Sequence, residues 1–328
     1  MKNIRLIKKT LIAALALVMV FAMSASAFAV TGIPGNNGQY LEGDAIPPDP
    51  TNPDCASYLV TQPAATNSIN VTLVVEAGDA ISSFSPVPNS RFRKEIQLTL
   101  TSQNPKSFTV YDAVVKANTM TATTGLSFGV GGSYVGSISN AGTTWTAGQL
   151  GFDGWVFRVN DKFPVQPTND GVGYEGTSIT QTYVANNDVI HWFYDFPSQL
   201  TPSLPSCAAD FVRAKKVSSS ANQLTLQMQG HKMDIAPTAP YIMSIDNYNN
   251  LGAGVSVGLY STANLNTPLA TAVTNSSGQV TFSRSFNIGD TYVIKSTSTY
   301  YTCPDPNWSW LVDGAYFVFT GAYSRIVI

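Results

Sequence analysis

The feature that most constrains the fold is a pair of apolar segments between Gly151 and Pro197. Every second residue of the first segment is large and apolar: Trp155, Phe157 and Val159. This period of two is that of a β-strand whose faces meet different surroundings. The second segment carries apolar side chains on both faces, with Ile190, Trp192, Tyr194 and Phe196 on one and Val189, His191 and Phe193 on the other. Because such a strand belongs inside a sheet, the sequence predicts a sheet with this segment near its centre.

Residues 55–200 are predicted to form a first domain of α+β type. Its elements follow in the order β-β-α-β-β-β, with strands at 69–75 and 96–100, a helix at 109–118 and irregular, glycine-rich strands within 126–138. Thr109 can cap the helix, because Asp112 stands at the third helical position as a capping box requires. One helix packed across a small mixed sheet, a β-grasp-like layout, would bury all these faces.

Residues 208–328 are predicted to form an all-β sandwich, so the chain as a whole is expected to be mainly β. Two alternating runs around residues 218–222 indicate a hairpin, and short strands then recur between turn signals such as 275–278 and 287–290. The boundary between the domains is placed at 197–205, with 236–240 as the alternative. The pattern resembles the Ig-like and collagen-adhesin B-type repeats of bacterial surface proteins, which implies a stalk-like role.

The first domain also resembles a known family. The motifs "DGW.F.VN" at 153–160 and "ND.I.W.Y" at 187–194 follow the predicted helix and the glycine-rich stretch in a fixed order. Over about residues 69–197 this order resembles the transcobalamin-like C-terminal domain of bacterial secreted proteins.

This resemblance implies a ligand and a set of ligand-binding residues. The ligand would be a small molecule of the cobalamin (corrinoid) type, faced by Trp155, Phe157 and Asn160, with Tyr134 at the edge of the site. The chain has no helical barrel, which holds the main half of the corrinoid site in that family. Core packing is the competing interpretation of Trp155.

The N-terminal residues 1–29 are predicted to be a secretory signal peptide. Four basic residues precede the apolar run 11–23, and Ala27-Phe28-Ala29 forms the cleavage motif. The mature protein is therefore expected to be secreted or held at the cell surface, with no membrane span, since no run of about 20 apolar residues follows. Residues 30–54 are predicted to be an extended arm, which could add as a strand to its own sheet or to a neighbouring molecule.

Charge and cysteine usage limit the partners. Removal of the signal peptide takes four of the 18 basic residues and leaves 14 against 20 acidic ones, a formal charge of −6, which disfavours nucleic acid. Three cysteines remain, Cys55, Cys207 and Cys303. In an oxidising compartment Cys55 and Cys207 are predicted to form a disulfide that brackets the first domain. Cys303 would then be free, replace one of the two, or bond another molecule.

The search for catalytic residues favours a protein that is not an enzyme. Neither histidine, His191 or His231, stands in a zinc-binding spacing, and no Gly-x-Ser-x-Gly motif or pair of glutamates suited to glycoside hydrolysis is present. His191 is interpreted as a half-exposed histidine of a sheet. No metal and no certain cofactor is expected.

Two hypotheses on function follow. The first is a non-enzymatic secreted or cell-surface binding module for a corrinoid-like small molecule. The alternative is a structural subunit of an extracellular filament or surface layer, or an adhesive stalk, which would assemble with itself or with other cell-surface proteins.

Overall fold

The computed structural model describes residues 57–82, 85–87, 89–147, 154–167, 174–195, 210–232, 234–235, 243–244, 248–297, 299–302 and 316–328. The predicted signal peptide, the arm, all three cysteines and both predicted domain boundaries lie outside these residues. Strands dominate the described part, which confirms the mainly-β class predicted from the sequence. Within this part no helix is long and apolar enough to cross a membrane.

Residues 57–195, the N-terminal unit, contain fourteen of the described strands and both described helices. In chain order they are β1 (Ser57–Leu59), β2 (Thr66–Ala77), β3 (Ile81–Ser82), β4 (Ser85–Pro86), β5 (Phe92–Lys106), β6 (Phe108–Thr109), α1 (Val110–Asn118), α2 (Thr121–Thr124), β7 (Leu126–Gly131), β8 (Tyr134–Asn140), β9 (Thr143–Thr146), β10 (Gly154–Val159), β11 (Phe163–Pro167), β12 (Tyr174–Gly176), β13 (Tyr183–Val184) and β14 (Val189–Asp195).

The central sheet has the strand order β10-β14-β2-β5. β14 runs parallel to β2, and the other two pairs are antiparallel, so the sheet is mixed as predicted. β14 has a partner on both sides and is buried on both faces, which confirms the prediction that this apolar segment lies inside a sheet.

Helix α1 covers one face of the central sheet. Its buried residues are Val110, Ala113, Val114 and Ala117. The backbone N–H of Thr109 donates to Asp112 Oδ2 over 2.9 Å, so the predicted capping box is present. The layout differs from the prediction in two ways. A second, four-residue helix, α2, follows and ends at Gly125, whose φ of 71° is left-handed, and the glycine-rich strands form a separate sheet, β7-β8-β9.

Residues 210–328, the C-terminal unit, contain only strands in their described part. These are β15 (Asp210–Ser220), β16 (Gln223–Lys232), β17 (Asp234–Ile235), β18 (Met243–Ser244), β19 (Tyr248–Asn250), β20 (Ser256–Ser261), β21 (Ala270–Val273), β22 (Gln279–Ser283), β23 (Thr291–Ser296), β24 (Thr299–Thr302), β25 (Tyr316–Thr320) and β26 (Tyr323–Val327).

Two sheets of the C-terminal unit share one core. One has the order β19-β16-β15-β25-β24 with β22 also paired to β16, and the other has the order β21-β20-β23-β26. Side chains of both sheets meet, with Leu224, Leu226 and Met228 from the first and Val257, Leu259 and Ile294 from the second. β15 and β16 form the predicted hairpin. All strand pairs of these two sheets are antiparallel except β15 with β25, which run parallel.

The two units pack against each other. Val74 and Val189, on the face of the central sheet opposite to α1, form one buried cluster with Val293 and Tyr323 of the C-terminal unit. The central sheet is therefore covered on both faces, by α1 on one and by the C-terminal unit on the other.

Candidate functional site

Two of the predicted ligand-binding residues lie in the core of the N-terminal unit. The side chain of Trp155 is 5% exposed, its Nε1 donates to the carbonyl oxygen of Trp145 over 3.0 Å, and its ring centroid lies 5.2 Å from that of Tyr194. Phe157 is half-buried, with its ring 4.9 Å from that of Trp192. Both side chains therefore contribute to packing.

The other two predicted residues serve local structure. Asn160 has a φ of 51°, its Nδ2 donates to Asp188 Oδ1 over 2.7 Å, and its Oδ1 accepts the N–H of Val189 over 2.9 Å. Tyr134 is half-buried on β8, and its ring covers Gly131, where a Cβ atom would lie 2.9 Å from ring atom Cζ. The ligand-binding role of all four residues stays a prediction.

A buried polar cluster joins the two units, and sequence reasoning did not find it. Its five members are at most 6% exposed, namely Glu76, Arg158, Asp161 and His191 from the N-terminal unit and Ser324 from the C-terminal unit. β10 and β14 bring Arg158 directly opposite His191 in the sheet register. The alternation of β10 places Arg158 on the face away from Trp155, and the C-terminal unit covers that face. We call these five residues the junction cluster.

Arg158 connects the two units directly. Its Nη2 lies 3.4 Å from Asp161 Oδ1 and donates to the carbonyl oxygen of Gly321 over 3.3 Å, while its Nη1 donates to that of Val212 over 3.5 Å. The Asp161 carboxylate also accepts a hydrogen bond from the hydroxyl of Ser324. Burial of a guanidinium is costly unless its charge and its N–H groups are paired, and here both units supply the partners.

His191 is neutral within this cluster. Arg158 Nη2 lies 3.0 Å from His191 Nδ1, so Nδ1 accepts a hydrogen bond and the ring proton is on Nε2, 3.5 Å from Glu76 Oε2. Burial lowers the pKa of His191 well below its usual value, and the guanidiniums of Arg158 and Arg93 lower it further. Glu76, whose carboxylate faces Nε2 of His191, is itself paired with Arg93 at 3.4 Å.

The sequence-based interpretation of His191 was wrong. Its side chain is 1% exposed rather than half-exposed. The period of two in β14 assigns His191 to one face of the sheet, but it does not indicate which part of the protein covers that face. A Ser-His-Asp relay is not assembled here, because Nδ1 is occupied by Arg158 and Ser324 contacts Asp161 instead.

The stability of the protein is expected to fall as the pH drops from about 7 to about 5.5. Histidine in the unfolded chain has a pKa of about 6.5, whereas the pKa of His191 in the folded state is lower, so the unfolded state binds more protons below pH ~6.5. The expected loss in the free energy of unfolding is about 1 kcal/mol. Urea denaturation at the two pH values measures it.

A matched pair of variants isolates the effect. His191→Gln should flatten the pH dependence, whereas His231→Gln, which changes the other of the two histidines, should retain it. Equal stability of the unmodified protein at both pH values would contradict the buried neutral state.

A second contact between the units involves Lys295 and Glu95. Lys295 Nζ forms an ion pair with Glu95 Oε2 and donates to the carbonyl oxygen of Leu265 over 2.7 Å. It also lies 4.8 Å from the ring centroids of both Tyr260 and Tyr323. Four partners from different strands and loops therefore hold one ammonium group at the junction.

A groove opens beside this contact. It is lined by Asn70, Val71, Thr72, Gln97, Asn187 and Val189 of the N-terminal unit and by Thr262, Leu265, Val293, Tyr323 and Arg325 of the C-terminal unit. The volume that water-sized groups can occupy in it is about 50 Å³, far below the ~300–1,000 Å³ of pockets for drug-sized ligands. The groove is suited to a group of a few atoms.

The described residues contain no group of three His, Cys, Asp or Glu side chains that could hold a metal ion. The resemblance of the N-terminal unit to the transcobalamin-like family stays a prediction. No protein-family model, no curated protein and no solved structure matches this chain, so its function has to be argued from its own geometry.

Proposed function

We propose that the chain is a non-enzymatic structural protein of the cell exterior, a subunit that assembles into a filament or layer by β-strand addition. The observation that carries this proposal is the edge strand β5. Among the described strands β5 pairs with β2 alone, so within the described part of the chain no strand covers its other edge over 96–104.

The middle of β5 lacks the usual protection of an edge, whereas its two ends carry Arg93, Lys94, Glu95, Pro105 and Lys106. Natural edge strands are short or carry Lys or Pro, which prevents pairing with other chains. β5 is 15 residues long, and its segment 96–104 contains no charged residue and no proline. Ile96, Leu98 and Leu100 of this segment are buried against the core. This edge is therefore suited to accept a strand from another molecule.

The junction cluster supports the same proposal. A subunit that transmits load must not bend between its two units. Arg158 bonds to carbonyl oxygens of the C-terminal unit, and Lys295 pairs with Glu95 across the same boundary. These contacts couple the sheet that would accept the strand to the sandwich behind it.

The predicted arm, residues 30–54, is the proposed donor. Its segment 38–46 precedes Pro47 and Pro48 and is long enough to pair with 96–104. The chain without residues 30–49 is expected to lose the large assemblies formed by the mature chain, as measured by sedimentation and negative-stain electron microscopy.

A charge introduced on the exposed edge of β5 tests the proposed contact with the arm from the acceptor side. Thr101→Lys places an ammonium group at an exposed position of β5 and is expected to suppress assembly, because a charge blocks edge pairing. Thr180→Lys makes the same change at an exposed turn residue and should leave assembly intact. A mature chain that stays monomeric at high concentration would overturn the proposal.

Titration with cobalamin tests the competing binding module. A ligand that binds only the folded state raises its melting temperature. A saturable rise with quenching of tryptophan fluorescence, together with a monomeric chain, would replace the structural proposal by the corrinoid one.

A further inference from the structure

We propose that the groove between the two units is a binding site for a small oxyanion, a carboxylate or phosphate group. This inference does not depend on the proposed function. It rests on the hydrogen-bond donors that line this half-open groove.

The floor of the groove is a buried phenol without a satisfied hydroxyl. Tyr323 is 0% exposed, and its hydroxyl lies beside Thr72 and Gln97 without a well-formed hydrogen bond. Burial and then the nearby Glu95 raise the pKa of Tyr323, so the hydroxyl keeps its proton and can donate. Buried hydroxyls in proteins nearly always have a partner, which here would be supplied by a ligand or by water.

Two carboxamides line the walls. Gln97 Oε1 accepts from Thr72 Oγ1 over 3.0 Å, and Asn70 Oδ1 accepts from Thr99 Oγ1 over 2.8 Å. Each carboxamide also carries an NH₂ group that can donate to a ligand. A ligand rich in acceptor oxygens complements this set.

Arg325 gives the groove its charge. One N–H of its guanidinium donates to the carbonyl oxygen of Asn187 over 2.8 Å, which fixes the side chain at the rim. The remaining N–H groups form the planar fork that binds carboxylate and phosphate. Glu95, which raises the pKa of Tyr323, is paired with Lys295 and Arg93, so its negative charge is compensated.

The groove is small and open to solvent. Its volume of about 50 Å³ accommodates one carboxylate or phosphate group, and a larger ligand would extend out of the opening. The ligand is therefore a small free acid, inorganic phosphate, or the carboxylate of a longer molecule whose remainder lies outside.

The test uses the full chain without residues 1–29, labelled with ¹⁵N. Sodium acetate and sodium phosphate are titrated at constant ionic strength, with glycerol as a neutral ligand of similar size. The side-chain amide signals of Asn70 and Gln97 and the guanidinium signal of Arg325 should shift saturably with at least one anion, at millimolar concentration. The anion with the lower Kd identifies the chemistry.

Variants separate the groove from nonspecific charge effects. Tyr323→Phe removes only the hydroxyl and should weaken binding about fivefold to tenfold, whereas Tyr260→Phe, outside the groove lining, should bind as the unmodified chain does. Arg325→Gln tests the charge independently and should abolish saturation. Absence of saturable shifts up to about 50 mM anion would overturn the proposal. So would anion binding by Tyr323→Phe and Arg325→Gln that is as tight as that of the unmodified chain, or binding of glycerol as tight as that of the anions.

Discussion

Replacement of Arg158 by methionine is expected to lower the free energy of unfolding by about 3–5 kcal/mol. The substitution keeps an unbranched, though shorter, side chain and removes the guanidinium from a position with no solvent access. Asp161, 6% exposed, then stays buried without its cationic partner, and the carbonyl oxygens of Val212 and Gly321 lose their donor. An unpaired buried charge costs more than the pair contributed.

A second variant separates the loss of the charge pair from the loss of packing. In Arg158→Met/Asp161→Asn both charges are absent, and the amide can still accept the hydrogen bond from Ser324. Removal of both partners of a buried pair is often close to neutral, so this double variant should recover a large part of the stability that the single variant loses. Urea denaturation of both proteins gives the comparison, and equal losses in the two would show that Asp161 does not depend on Arg158.

The sequence could predict those features that depend on local pattern. The capping box of Thr109 and Asp112 identified the start of α1, and alternation with two apolar faces identified β14 as an inner strand. Both signals are local. A capping box joins two residues three positions apart, and an apolar period of two can be recognised within a few residues.

The junction cluster could not be predicted because its partners are far apart in the sequence. Arg158 lies on the face of β10 that looks polar, and a polar face is normally interpreted as solvated. It is buried because Val212 and Gly321, more than 50 residues away, cover it. Asn160 shows the same limit, since its motif position suggests a ligand contact while its side chain bonds Asp188 and Val189.

The turn at Gly278 provides the second large expected effect. Gly278 ends the predicted turn 275–278 with a φ of 73°, and a Cβ atom there would lie 1.8 Å from the carbonyl oxygen of Leu251. That carbonyl belongs to backbone held in place, because the N–H of Leu251 donates to Met228 O over 3.0 Å and the N–H of Met228 donates to Gly278 O over 2.9 Å. The neighbour therefore cannot move away cheaply.

Gly278→Ala is accordingly expected to cost about 2–5 kcal/mol, from left-handed strain of ~1–2 kcal/mol and overpacking of ~1–3 kcal/mol. Gly289 is the matched control, since it stands in the other predicted turn with a φ of 92°, and a Cβ atom added there would have no neighbour within 4 Å. Gly289→Ala should therefore show the strain alone. Thermal and urea denaturation of both variants measure the difference, which equals the cost of the clash with Leu251. Equal destabilisation by the two substitutions would mean that the turn at Gly278 shifts away from Leu251, and that the close approach of these two backbone segments is not required by the fold.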